Sequence, residues 1–262
     1  MSTETYSLFS GSLRATVELR GSAHGRTYFL LHGGAGPASM APLLDRLARD
    51  HRVVAPILPG FSGTDRPAHI RTVSDLALTY LALLDTMQAH EVVLVGNSFG
   101  GWLAAEIALR ATQRIVGVVF LNTVGIHTGS PARTIVDPTA VPLARRAALS
   151  FHDPAQFAGF LGAPEVARYA QENQRALRTY AGEPFMHDPS LYERLAGMRT
   201  SSLVIWGESD RIVDMEYGRR FASVMPGSSF VSLPGAGHFP QIEQSEEVAR
   251  QIQLFGRERA QG

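Results

Sequence analysis

The chain of 262 residues contains no cysteine, and it contains no lysine either, so all 24 of its Lys-plus-Arg positions are arginine. Without cysteine there is no thiol nucleophile, disulfide, thiolate metal site or iron–sulfur cluster. Without lysine there is no Schiff-base enzyme, Walker-type phosphate loop or Ser-x-x-Lys hydrolase, because each needs an amine at a fixed place. Charge of one sign is missing too: 24 basic residues balance 24 acidic ones and no charge run exceeds a few residues, so no nucleic-acid partner is expected. No stretch approaches the roughly 18 consecutive apolar residues of a membrane span. The segment Met1 to Ser10 sets acidic Glu4 where a signal peptide carries positive charge. A cytoplasmic protein without a membrane partner is the expectation, although the absence of cysteine is itself silent on compartment.

What is present suits one large domain, or a domain carrying an insertion, since 45% of the residues are apolar and can bury a sizeable core. Short apolar segments alternate with helical patterns in the first half. Thr27–Leu31, Arg52–Leu58, Val92–Val95 and Val116–Leu121 read as strands. Between them, Val73, Leu76, Ala77, Tyr80, Leu81, Leu84 and Met87 recur at the spacing of one helix face, and Trp102–Arg110 is helical. Fully apolar strands separated by helices indicate a parallel sheet covered on both faces. Tyr6–Phe9 and Leu13–Leu19 alternate instead, which predicts an antiparallel hairpin at one edge.

The pattern changes between Thr123 and Met198. No strand candidate appears there, and seven of the 15 prolines fall in it, several at the start of a helical stretch: Leu143–Phe151, Pro154–Leu161, Pro164–Tyr180 and Pro189–Met198. Strands resume at Leu203–Trp206 and Ser229–Leu233, with helices near Met215–Val224 and Ser245–Phe255. A helical insertion therefore interrupts an α/β sheet after its sixth strand. The expected division is 1–122 and 199–262 as the α/β core and 123–198 as the insertion.

Val92–Val95 runs into Gly96-Asn97-Ser98-Phe99-Gly100-Gly101, a Gly-x-Ser-x-Gly turn followed at once by a helix. So tight a turn predicts strained angles at Ser98, with Gly96 and Gly100 small because side chains would collide across it. It lifts the Ser98 hydroxyl above the sheet and leaves the Phe99 N–H free at a helix start, where negative charge is favoured. Serine needs an oriented base. Of nine histidines, His238 follows the last strand, and parallel strands all end at one sheet edge, so its loop belongs beside Ser98. His24, His51, His69 and His90 sit in polar turns; His127, His152 and His187 belong to the insertion, where surface or substrate contact are both open. After Leu203–Trp206 come three carboxylates. Asp210 is placed to turn back over the sheet edge, Glu208 lies nearer the strand, and Asp214 suits the N-cap of the next helix. The order Ser98, Asp210, His238 is nucleophile, acid, base. His32-Gly33-Gly34-Ala35-Gly36 follows Thr27–Leu31, and its glycines can aim N–H groups at a substrate. Gly34 is the expected partner of Phe99 in an oxyanion hole, with Gly33 or Ala35 as the alternatives one register away. A phosphate loop fails for want of Gly-Lys-Ser/Thr, and a dinucleotide loop for want of Gly-x-Gly-x-x-Gly.

Taken with Pro59-Gly60-Phe61-Ser62-Gly63-Thr64-Asp65, Gly207 through Asp210 and Gly237-His238-Phe239, these motifs make the chain resemble the α/β-hydrolase fold enzymes over essentially its whole length. The resemblance implies a mostly parallel sheet of about eight strands, a helical cap over the active site at 123–198, and a Ser98–His238–Asp210 triad. It implies neither cofactor nor metal. Epoxide hydrolases and haloalkane dehalogenases of this family use an aspartate nucleophile and hydroxynitrile lyases a lysine, neither of which is here. Proline iminopeptidases share His-Gly-Gly but continue with Pro-Gly and put Trp after the nucleophile, where this chain has Ala35-Gly36 and Phe99. Gly96-Asn97-Ser98 resembles the meta-cleavage C–C hydrolases, which usually carry Trp where this chain has Phe239. The expected activity is hydrolysis of a small, apolar carboxylic ester, thioester or lactone by a monomer or homodimer. C–C bond cleavage and a hydrolase-like small-molecule receptor are the alternatives. Expected substrate contacts are Asn97, Phe151, Phe157, Phe160 and Phe239.

Overall fold

The computed structural model describes residues 2–22, 26–110, 113–130 and 135–258. Its first half comprises β1 (Ser2–Leu8), β2 (Leu13–Arg20), β3 (Thr27–Leu31), α1 (Ala41–Leu47), β4 (Arg52–Pro56), α2 (Val73–Thr86), β5 (Val92–Asn97), α3 (Phe99–Ala108) and β6 (Ile115–Leu121). Among the described residues, five helices follow without a named strand: α4 (Leu143–Ser150), α5 (Pro154–Gly162), α6 (Pro164–Ala167), α7 (Ala170–Ala181) and α8 (Leu191–Leu195). The chain closes with β7 (Ser202–Gly207), α9 (Met215–Ser223), β8 (Ser229–Leu233), α10 (Pro240–Glu243) and α11 (Ser245–Glu258).

The eight strands form one sheet in the order β1-β2-β4-β3-β5-β6-β7-β8. Only the β1–β2 and β2–β4 pairings are antiparallel, so the hairpin read from the alternation of the first 20 residues lies at an edge. Strands β3, β5, β6 and β7 are buried almost without interruption, which is why they read as unbroken apolar runs. One face is covered by α2, α3 and α9, where Leu76, Tyr80, Leu103 and Phe221 belong to a single cluster. The other face is covered by α1 and α11 through Leu43, Leu47, Val248 and Ile252. Helix α2 starts in a reciprocal capping box, Thr72 accepting from the Asp75 N–H and Asp75 from the Thr72 N–H.

Some boundaries differ from the sequence reading. Strand β4 ends at Pro56, two residues early, although the Ile57 N–H still bonds the Thr16 carbonyl of β2. The single helix expected over Pro164–Tyr180 is two. Tyr169 leaves the helical region at φ −105° and ψ 5°, and its ring packs over Gly63. Pro189–Met198 contracts to the short α8. No helix among the described residues is long and apolar enough to cross a membrane.

Candidate active site

Strands β3 and β5–β8 run parallel and end at one sheet edge, which brings together His32, Ser98, Asn122, Asp210 and the His238 loop. Between β5 and α3 the chain turns at Ser98, which has φ 53° and ψ −118°. A non-glycine residue in such a conformation stores on the order of 1–3 kcal/mol and persists only if its surroundings over-determine it. They do: the Ser98 N–H bonds the Leu121 carbonyl at 3.0 Å, and the Ser98 carbonyl accepts from Gly101 and Trp102 at 2.9 and 3.3 Å. A Cβ on Gly96 would lie 2.3 Å from the Gly100 oxygen, the collision expected from the sequence. A Cβ on Gly100 would meet a different obstacle, the Leu31 oxygen of β3 at 2.1 Å. Phe99 is the first residue of α3, so its N–H has no acceptor within the helix and lies at the positive end of the helix dipole. Its side chain is buried and stacks on Tyr180.

Asp210 accepts four hydrogen bonds. Oδ1 takes the backbone N–H groups of Ile212 (2.8 Å) and Val213 (3.1 Å), and Oδ2 takes His238 Nδ1 (2.8 Å) and Asn122 Nδ2 (2.7 Å). A carboxylate oxygen 2.8 Å from Nδ1 holds the proton on that nitrogen, which leaves His238 Nε2 as the basic one. The loop is pinned from outside as well: the His238 N–H bonds the Ser150 carbonyl at 2.7 Å, and the His238 carbonyl accepts from Asn97 Nδ2 at 3.0 Å. Of the other carboxylates after β7, Glu208 is exposed and Asp214 caps α9 through the Tyr217 N–H.

Asn122 was not singled out by sequence. It follows β6 directly with φ 41°, donates to Asp210, and accepts the Gly207 N–H at 3.0 Å. Its signal was an amide residue at the carboxyl end of a buried strand, on the edge where the other polar groups gather.

The His-Gly-Gly segment is organised by the imidazole of His32, whose role the sequence reading left out. Nε2 accepts the Leu58 N–H at 3.1 Å, so Nδ1 carries the proton and donates to the Gly33 carbonyl at 2.9 Å. That carbonyl also accepts from Gly36. Across a planar trans peptide the Gly34 N–H points the opposite way from the Gly33 carbonyl. Burial of the ring lowers the His32 pKa from the ordinary 6.5 to about 4, only partly offset by the bond to Gly33.

Ser98, His238, Gly34 and Phe239 line one cavity of about 90 Å3, although no hydrogen bond joins Ser98 to His238 among the described residues. Such bonds are often long in an unliganded enzyme. Most of the wall is apolar, from Val124, Ile135, Leu161, Leu177 and Met186, and a Cβ on Gly34 would strike Leu177 at 2.5 Å. The other expected contacts lie elsewhere. Asn97 is fully buried behind the wall, its amide nitrogen bridging the Leu121 and His238 carbonyls. Phe151 is fully buried and packs against Phe157 and Phe239, with Phe160 half-buried on the same cluster. None of these three rings but Phe239 beside them belongs to the wall. His127 sits against Arg220 and Tyr192, His152 against Ser209, and His187 bonds the Phe185 carbonyl. His24 lies outside the described residues. No group of three or more His, Asp or Glu among the described residues could hold a metal ion.

The sequence model described as "Alpha/beta hydrolase family" matches residues 28–251. A 2-hydroxymuconate semialdehyde hydrolase of Pseudomonas putida is 26% identical, with 91% of this chain and 90% of that protein covered. A 2-hydroxy-6-oxo-2,4-heptadienoate hydrolase of the same species is 28% identical, covering 88% and 89%. Among solved structures, an esterase from Rhodococcus superposes with a TM-score of 0.80 at 21% identity, covering 98% of this chain and 99% of that one. A meta-cleavage product hydrolase from Pseudomonas fluorescens superposes with a TM-score of 0.79 at 20% identity, covering 97% of each. At those identities the structural likeness speaks to the fold.

Proposed function

The chain belongs to the alpha/beta hydrolase family, and from that premise we propose that it hydrolyses a small carboxylic ester, thioester or lactone through an acyl-enzyme on Ser98. The observation that carries this reading is the His238 imidazole, oriented by Asp210 at 2.8 Å, in the wall of a mostly apolar cavity that also holds the strained Ser98 turn. His238 Nε2 takes the Ser98 proton as Oγ attacks the substrate carbonyl. The N–H groups of Phe99 and Gly34 hold the oxyanion. The leaving group departs with the proton from His238, and water repeats the sequence on the acyl-enzyme. Residues 123–198 serve as a cap whose side chains, Leu161, Leu177 and Met186 among them, hold the acyl chain.

A second reading, hydrolysis of a C–C bond next to a ketone, draws support from the dienoate and semialdehyde hydrolases that resemble the chain over about nine tenths of its length. It uses the same attack by Ser98 and differs in the leaving group, a stabilised carbanion that His238 protonates. A panel of p-nitrophenyl esters from acetate to decanoate, run beside a vinylogous diketone, separates the two. Multiple turnovers on the esters that fall by about six powers of ten in Ser98→Ala are the expected result. Ester turnover by Ser98→Ala close to that of the unaltered protein would sink the mechanism. Turnover of the diketone alone would move the assignment to C–C cleavage.

A further inference from the structure

One wall residue fits neither an apolar roof nor the acyl-transfer machinery. Arg146 on α4 lines the same cavity as Ser98 and His238, and it is the one permanently charged side chain among the described residues that do. Its guanidinium is held in place by neutral groups. Nε donates to the Pro138 carbonyl at 2.9 Å, and the Gln174 side-chain oxygen, assigned to the side that faces the guanidinium, accepts from Nη1 at 3.0 Å and Nη2 at 3.2 Å. No carboxylate among the described residues pairs with it, unlike Arg20, Arg110, Arg114, Arg194 and Arg250, each of which meets an Asp or Glu. A guanidinium carries five N–H donors and does not lose its charge at any pH a protein survives. Pro138 and Gln174 occupy three of these donors; among the described residues no other group takes the remainder, which leaves them the cavity and solvent. A half-buried cation beside an apolar cavity, fixed in orientation and without a counter-charge among the described residues, is a receptor for a planar anion.

We propose that Arg146 is a carboxylate subsite, and that the preferred substrates are acyl compounds carrying a carboxylate at the end of the acyl chain away from the reacting carbonyl: monoesters or monothioesters of dicarboxylic acids, or the corresponding oxo acids. The proposal rests on the acyl-transfer reading for the direction in which substrate lies, with its carbonyl at Ser98 and its acid at Arg146. Pro138 and Gln174 hold the guanidinium in a fixed orientation, so less side-chain freedom is lost when the anion arrives. This replaces the expectation of a wholly apolar acyl group with an apolar chain that ends in a charge.

The test compares mono-p-nitrophenyl adipate with p-nitrophenyl hexanoate, two esters of equal chain length that differ in the terminal carboxylate. The unaltered protein is expected to prefer the adipate at least tenfold in kcat/KM. That ratio should collapse towards one in Arg146→Gln and be partly kept in Arg146→Lys, which retains charge without the fork. Equal kcat/KM for both esters in the unaltered protein, or a preference that survives in Arg146→Gln, overturns the proposal. Calorimetric binding of adipamate and hexanamide to the same proteins needs no turnover and so isolates the subsite from the chemistry. Adipamate binding about tenfold tighter or more, through Arg146, with no ester turned over, keeps the subsite and removes the acyl-transfer reading. Adipamate binding no tighter than hexanamide removes the subsite whatever the esters do.

Discussion

Acid should destabilise this protein through His32, and the size of the effect follows from the ring's surroundings. The imidazole is fully buried, accepts the Leu58 N–H on one nitrogen and donates to the Gly33 carbonyl from the other, so a second proton has no acceptor to meet. Its folded pKa is about 4 against an ordinary 6.5. Between those values the unfolded chain binds the proton and the folded one does not, so stability rises with pH across the window and is lost as pH falls through it. From pH 7 to pH 5 the loss is about 2 kcal/mol, and by pH 4 about 3 kcal/mol, using roughly 1.4 kcal/mol per pKa unit. Urea unfolding at half-unit steps from pH 7 to pH 4.5 measures it, with His32→Gln as the non-titrating reference. The baseline of the variant will differ because the Leu58 and Gly33 bonds change. The quantity to compare is the slope of stability against pH, steeper in the unaltered protein by about 2 kcal/mol over the first two units. Parallel slopes in the two proteins would refute the reasoning. Because the ring also sets the Gly33–Gly34 peptide, whichever hydrolysis the protein performs should slow over the same range.

Other outcomes follow from the same geometry. Asp210→Asn removes the acceptor that orients His238 and puts an N–H in its place; kcat should fall on the order of 10^4-fold while the fold, checked by far-UV circular dichroism, persists. Gly100→Ala drives a Cβ to within 2.1 Å of the Leu31 oxygen, a backbone atom that cannot rotate away, and should cost about 3 kcal/mol or more, read as a drop in urea midpoint. Glu106 is buried on α3 and bonds both Arg194 and Arg110; burial alone raises its pKa, but the two guanidiniums outweigh this and hold it below the usual range. Glu106→Gln should cost about 2 kcal/mol at neutral pH, less than a fully buried pair because its arginines are about one third exposed, and the difference should shrink as acid protonates the carboxylate. An unchanged urea midpoint at pH 7 would argue against the network's contribution.

Local chemistry alone was enough to read the strands that the sheet buries on both sides. Thr27–Leu31 has the bounds its composition predicts; so does Ser229–Leu233, although it is the half-buried edge strand, and Asp214 caps α9 as its position suggested. The Ser98 turn was legible because three glycines within six residues have no other reason to interrupt a strand and open a helix. The helices between β6 and β7 were legible as helices, but not the faces they present. Phe151, Phe157 and Phe160 were expected at the substrate and instead pack on one another and on Phe239.

What the sequence determined by itself was the sheet and the order of groups along its edge, since strand burial, turn sterics and helix capping each act over a few neighbouring residues. Tertiary structure decided the rest. Leu177, Asn173 and Arg146 share the wall of one cavity with Ser98 because of where α4 and α7 lie; Asn97 is turned behind the wall by two carbonyls, one of them 141 residues away. Asn122 completes the bonding of Asp210 across 88 residues, and the His32 ring becomes a structural clamp only when Leu58 arrives above it. Each of these is a meeting of groups distant in the chain, and periodicity within one segment carries no information about the partner it will face.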